Sequence, residues 1–215
     1  MHSQTKFYMN MENLKTIAQC LTADITKDRV ALHETGHVIA MYAVGLIDHI
    51  AFVTKTPGDG TRGLTEVTEE YKTRMNNLGD EIIQAAGKII QAAGKKHYGK
   101  DYTRIIQLSR LDASQLYFPN ICKLFGGGAI CRFYDLPDED MCSIDYTLID
   151  AILNQFNWLG KREVIMPLVD QYLRSAFESF GPLINAFYVN LVEQETLTRE
   201  QVLQIIKDWE EYQLS

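Results

Sequence analysis

Val30-Ala31-Leu32-His33-Glu34-Thr35-Gly36-His37-Val38-Ile39-Ala40 is the stretch on which the reading of this chain turns. Its apolar flanks, Ala31 and Leu32 before and Val38, Ile39 and Ala40 after, predict a buried helix rather than one lying among surface charges. In a helix His33 and His37 stand one turn apart on one face, with about 6 Å between their Cβ atoms, so two imidazoles can converge on one metal ion. Glu34 projects about 100° further round the helix. That places a carboxylate beside the ion, in the position of a general base. Zinc is the natural occupant, since it accepts imidazole nitrogen at about 2.0–2.1 Å and in hydrolytic sites takes three protein ligands and a water. Gly36 costs a mid-helix position about 1 kcal/mol relative to alanine, which predicts a packing reason for it. The competing reading is a core helix with two hydrogen-bonded histidines and no metal.

The 215 residues suffice for one sizeable domain, or for a main domain and a small helical appendage. The expected division is an N-terminal extension over residues 1–24 and a main domain over 25–215 that includes the C-terminal helices. With 21 basic and 28 acidic residues the formal charge is −7, and no cluster of Lys and Arg stands out, which argues against a nucleic-acid partner. No stretch reaches the roughly 18 apolar residues of a membrane span, and the polar segment from Met1 to Met11 has no apolar signal region. A soluble, cytoplasmic protein is expected. Cys20, Cys122, Cys131 and Cys142 form no C-x-x-C pair, so reduced thiols are the expectation, and Cys131 and Cys142 are the weaker ligand candidates.

Around the central stretch the chain reads as mainly α with a small β-sheet. Leu14, Ile17 and Leu21 predict a short amphipathic helix, and Thr22-Ala23-Asp24 offers cap chemistry ahead of a helix over residues 27–44 that Gly45 closes. Residues 49–54 and 64–68 read as two strands of a hairpin, one edge of which could hold an extended peptide by main-chain hydrogen bonds. Residues 69–118 are polar and helical in texture, and they contain the heptapeptide Ile-Ile-Gln-Ala-Ala-Gly-Lys twice, at 82–88 and 89–95. A seven-residue duplication drifts by only about 20° on a helix, so it lengthens the helix without turning its apolar face outward. Residues 124–130, Leu-Phe-Gly-Gly-Gly-Ala-Ile, read as a loop or tight helix start in which glycines let backbones approach. Residues 136–140 form an acidic turn, Ser143 is a plausible N-cap, and a helix over 162–180 is broken and restarted at Gly181-Pro182. Thr198 to Gln201 is a capping box before the last helix.

A catalytic zinc site needs a third ligand. The extended pattern H-E-x-x-H-x-x-G-x-x-H is excluded, because Ala40 and Ala43 occupy its last glycine and histidine. A glutamate from further along would be Glu66, Glu69 or Glu70, while His49 and His97 lack a supporting pattern.

The run from Val30 to Ala40 is similar to the zinc helix of FtsH-type ATP-dependent metalloproteases, whose pattern is close to V-A-x-H-E-A-G-H-A. Further pieces resemble that family in the same order. His49 to Val53 with Arg62-Gly63-Leu64-Thr65 is similar to its strand and G-Y-T; Leu124 to Ala129 to its L-x-G-G-R-A-A-E; Cys142 to Asp145 to its G-A-x-N-D; and Leu191 to Leu197 to its L-L-E-x-E-T-L. The resemblance covers roughly residues 25–210 and implies a zincin-like peptidase domain. It implies His33, His37 and Asp145 as zinc ligands and Glu34 as the catalytic glutamate. Gly128, Cys131 and Arg132 depart from the family's Arg, Glu and Glu, Tyr146 replaces a leucine, and the separation of His37 from Asp145 is longer than usual. No G-x-x-x-x-G-K-[ST] motif occurs, so the chain looks like a protease domain standing alone.

The expected activity is that of a zinc-dependent endopeptidase acting on unfolded or flexible polypeptides, with Glu34 activating a zinc-bound water. The alternative is a non-cleaving, zinc-stabilised module that holds peptides or partners a separate protease or ATPase. A homo-oligomer, or an ATPase acting in trans, is compatible with either.

Overall fold

The computed structural model describes residues 24–56, 63–76, 100–138, 142–155 and 159–214. The helix around His33 runs Arg29–Ala43 (α1). It starts at Asp28 rather than in the Thr22–Asp24 segment: the Asp28 carboxylate accepts from the Ala31 N–H at 3.0 Å and from the Lys55 ammonium at 2.8 Å. Its end falls where expected, with Gly45 in the left-handed region at φ 72°. Every residue from Ala31 to Met41 is buried, so α1 has no solvent face over three turns.

Two strands follow, Ile50–Thr54 (β1) and Leu64–Val67 (β2), antiparallel, with Val53 opposite Thr65 and an irregularity between Ile50 and Phe52. This is the expected hairpin. A third strand, Thr196–Thr198 (β3), pairs with the other side of β1 and gives the order β2-β1-β3. It was not anticipated, because three residues carry no periodicity. What holds it is long-range: the Thr54 hydroxyl lies 2.7 Å from that of Thr196, and Glu195 turns the chain into the strand at φ 61°. Among the described residues β2 is one edge of the sheet.

Helical residues 69–76 (α2) lead out of the sheet. Lys100–Phe133 (α3) brings the chain back, and it contains the glycine run. The reading of 124–130 as a loop or tight helix start is therefore corrected: these residues lie inside a continuous helix. Three glycines weaken an isolated helix by about 1 kcal/mol each, but here tertiary contact outweighs propensity. A Cβ on Gly126 would stand 2.5 Å from the Gly36 carbonyl oxygen and 2.7 Å from the Ala40 Cβ, and one on Gly36 would collide with the Gly126 carbonyl in return. Backbone meets backbone at this crossing, which is the packing reason for Gly36.

Ser143–Gln155 (α4), Arg162–Ser179 (α5), Gly181–Gln194 (α6) and Arg199–Gln213 (α7) complete the chain. Ser143 is the first helical residue of α4 rather than its cap; the Cys142 carbonyl accepts the first helical hydrogen bond, from Tyr146 at 2.9 Å. Pro182 stands in the first turn of α6, and the Thr198–Gln201 capping box is formed at α7, both as the sequence predicts. α1 packs against α3, α5, α6 and the sheet, and the core built on it includes Leu32, Ile39, Met41, Ile130, Leu173, Phe177, Leu183 and Phe187. The fold is mainly helical with one small antiparallel sheet. Among the described residues no helix is long and apolar enough to cross a membrane. The 11–21 segment, the duplicated heptapeptide and His97 lie outside the described residues.

Helix propensity alone would make Gly126→Ala stabilising by about 1 kcal/mol. The crossing predicts the opposite sign, a loss of about 1–3 kcal/mol from overpacking, measurable by urea unfolding.

Candidate metal centre

α1 supplies two imidazoles by its own geometry. The His33 and His37 rings meet nearly edge to face, at 83° with centroids 4.6 Å apart, and their Nε2 atoms are 3.0 Å from each other. α4 supplies the third group. Asp145 lies in its first turn, and its Oδ2 is 3.4 Å from His33 Nε2 and 3.5 Å from His37 Nε2. Among the described residues these three form the cluster of His, Cys, Asp and Glu donors able to hold a metal ion. His33 and His37 are buried and the Asp145 side chain is 17% exposed.

The ring nitrogens facing away from this triangle are also partnered. His37 Nδ1 lies 2.7 Å from the Lys123 carbonyl oxygen, which can only accept. The Nδ1 therefore carries a proton whatever the charge of the ring, so it is Nε2 that presents a lone pair once the imidazolium gives up its second proton, the tautomer a metal ligand requires. His33 Nδ1 lies 4.0 Å from Cys142 Sγ. Gly127 closes the site from α3: a Cβ there would stand 2.5 Å from His33 Nε2 and 2.6 Å from His37 Nε2.

Glu34 is buried beside the triangle, and its Oε2 accepts from the Thr65 hydroxyl on β2 at 2.7 Å. Thr65 was missed as a site residue, although strand alternation puts it on the same buried face as Val67. The Lys123 carbonyl was missed as well, and a backbone acceptor leaves no mark in a sequence.

The charged groups of the centre act on one another. Burial pulls the His37 imidazolium down, but the adjacent Asp145 carboxylate, Glu34 and the Lys123 carbonyl outweigh it and raise the group to about 9. Burial pushes the Asp145 carboxyl up, yet the two imidazoles beside it hold it well below the usual carboxylate range. Burial draws the Lys123 amine down, against the opposing pull of Glu66, Asp145 and Glu34.

The other sequence candidates lie elsewhere. Glu66 and Glu69 both pair with Lys72, at 2.8 and 2.7 Å, and Glu70 is exposed and outside the donor cluster. The His49 ring stacks on Tyr71 with centroids 4.6 Å apart. Cys122, Cys131 and Cys142 are free thiols, and burial pushes Cys131 up to about 11 and Cys142 up to about 12.

No protein-family model, curated protein or solved structure matches this chain. The centre is therefore read from its own geometry and chemistry.

Protons and a metal ion compete for His37. Metal affinity should rise about tenfold per pH unit between roughly 6.5 and 9, because one proton must leave the group raised to about 9. Titration calorimetry across that window measures it; a flat profile contradicts the coupling. Stability of the metal-free protein should run the other way. The raised His37 contributes stability that is whole below its ordinary value near 6.5 and is lost as pH rises through about 9. The lowered Asp145 contributes stability present above 3.8 and lost on further acidification.

Proposed function

We propose that this chain is a zinc-dependent endopeptidase domain of the FtsH type, cleaving unfolded or flexible polypeptides. The observation that carries the reading is the triangle of His33, His37 and Asp145 with Glu34 held beside it. A tetrahedral ion with bonds of about 2.0–2.1 Å sets its ligand atoms about 3.3–3.4 Å apart. The three edges here are 3.0, 3.4 and 3.5 Å. Two imidazole nitrogens and one carboxylate oxygen are a donor set suited to catalytic zinc, which takes three protein ligands and a water.

His33, His37 and Asp145 would hold the ion, which when bound supplies a Lewis acid that acidifies water and polarises a carbonyl. The chain's own groups do the rest. Glu34, fixed by Thr65, takes the proton of the attacking water and delivers it to the amide nitrogen that leaves. Gly127 keeps side-chain bulk away from the metal-facing nitrogens. β2, the strand that carries Thr65, is an edge of the sheet among the described residues, so an extended peptide can add to it by main-chain hydrogen bonds.

The other reading, a non-cleaving module stabilised by zinc, gives Glu34 no task. A buried glutamate held by a hydroxyl next to the ligands is expensive for a purely structural centre. Glu34→Gln should retain one zinc per chain and lose at least about 10²-fold in cleavage of denatured casein, the lower end of general-base effects. Asp145→Ala should lose the metal. Cleavage by Glu34→Gln at the parent rate would falsify the mechanism, and metal-loaded parent protein that never cleaves would favour the binding module.

A further inference from the structure

Asp145 is the one ligand that α1 does not provide, so the triangle closes only if the first turn of α4 is held in place. The outer face of that turn has little to grip, since Ile144 and Leu148 are 63% and 46% exposed. The inner face is fastened through Tyr146, the residue after the ligand. Its hydroxyl accepts from Arg132 Nη1 at 2.9 Å and donates to Asp138 Oδ2 at 3.0 Å. Arg132, in the last turn of α3, also donates from Nη1 to Asp138 and from Nη2 to Asp170 on α5 at 3.1 Å. Its guanidinium lies 4.5 Å from the centroid of the Phe125 ring, which in turn packs against Tyr146. One planar cation thus ties α3, α4, α5 and the segment before α4 together, which calls for the fork of an arginine.

Gly128 makes room for this arrangement. A Cβ there would stand 2.8 Å from Cys142 Sγ, 3.1 Å from Asp138 Oδ2 and 3.2 Å from Arg132 Nη1. Cys142 Sγ reaches His33 Nδ1 at 4.0 Å, so the same cluster touches a second ligand. Gly128, Arg132 and Tyr146, three of the positions at which the chain departs from the pattern it resembles, interlock.

We infer that Arg132 and Tyr146 are positioning residues of the metal centre, a brace that presents Asp145 to the two histidines. The inference rests on the metal-binding reading above and adds to it the residues that set ligand geometry.

The test measures zinc affinity by chelator competition, and the visible absorption of the cobalt(II)-substituted protein, for the parent chain, Tyr146→Phe and Arg132→Lys. Both variants should weaken zinc binding by about tenfold or more, the range for residues that orient a ligand without touching the metal. Both should also alter the cobalt spectrum, which a merely structural role would leave unchanged. Tyr146→Phe deletes a single hydroxyl and carries the test should Arg132→Lys fail to fold. Zinc affinity within twofold of the parent, with an unchanged cobalt spectrum, overturns the brace even if the variants melt earlier. A parent chain that takes up no zinc overturns the metal reading itself, and the brace with it.

Discussion

Two helix backbones cross at Gly36 and Gly126 more closely than any residue with a β-carbon permits, and the centre is assembled around that crossing. With α1 and α3 in backbone contact, the Lys123 carbonyl reaches His37 Nδ1 and Gly127 lies over the two Nε2 atoms. Had α3 been pushed outward by a side chain at either glycine, His37 would lose the acceptor that fixes its tautomer. The same contact sets the far end of α3, where Arg132 meets Tyr146 and Asp138. Packing at one point thus positions groups from three helices.

That arrangement concentrates charge in a place with little water. Glu34 and both histidines are buried, and Asp145 is close to it. Burying carboxylates costs several kcal/mol each unless opposite charge or hydrogen bonds offset it. Here the two imidazoles face the Asp145 carboxylate at 3.4 and 3.5 Å, and the Thr65 hydroxyl donates to Glu34. A bound cation would offset the charge of both carboxylates.

The local parts of this design were legible in the sequence. The apolar residues around His33 and His37 announced a buried helix, and the one-turn spacing of the two rings follows from helical geometry alone. Thr198 and Gln201 announced their capping box for the same reason, since cap chemistry is local. What depends on contact between distant residues was harder. Asp145 came only through a resemblance; the residues by themselves offered Glu66, Glu69 and Glu70 as weak candidates, because nothing local marks which carboxylate returns to the histidines across more than 100 positions. The glycine run at 126–128 read as a loop or a helix start, not a helix interior, because propensity is local, whereas the contact that keeps it helical is with α1. β3 escaped notice because its pairing with β1 joins positions far apart in the chain.

X-ray absorption at the zinc edge of the purified, zinc-loaded protein, combined with metal analysis, probes the central claim most directly. One equivalent per chain is expected, with two nitrogen scatterers at about 2.0–2.1 Å and oxygen at about 2.0–2.2 Å. Substoichiometric zinc, or a shell that keeps its histidine signature when His33 and His37 are both replaced by alanine, would contradict the account.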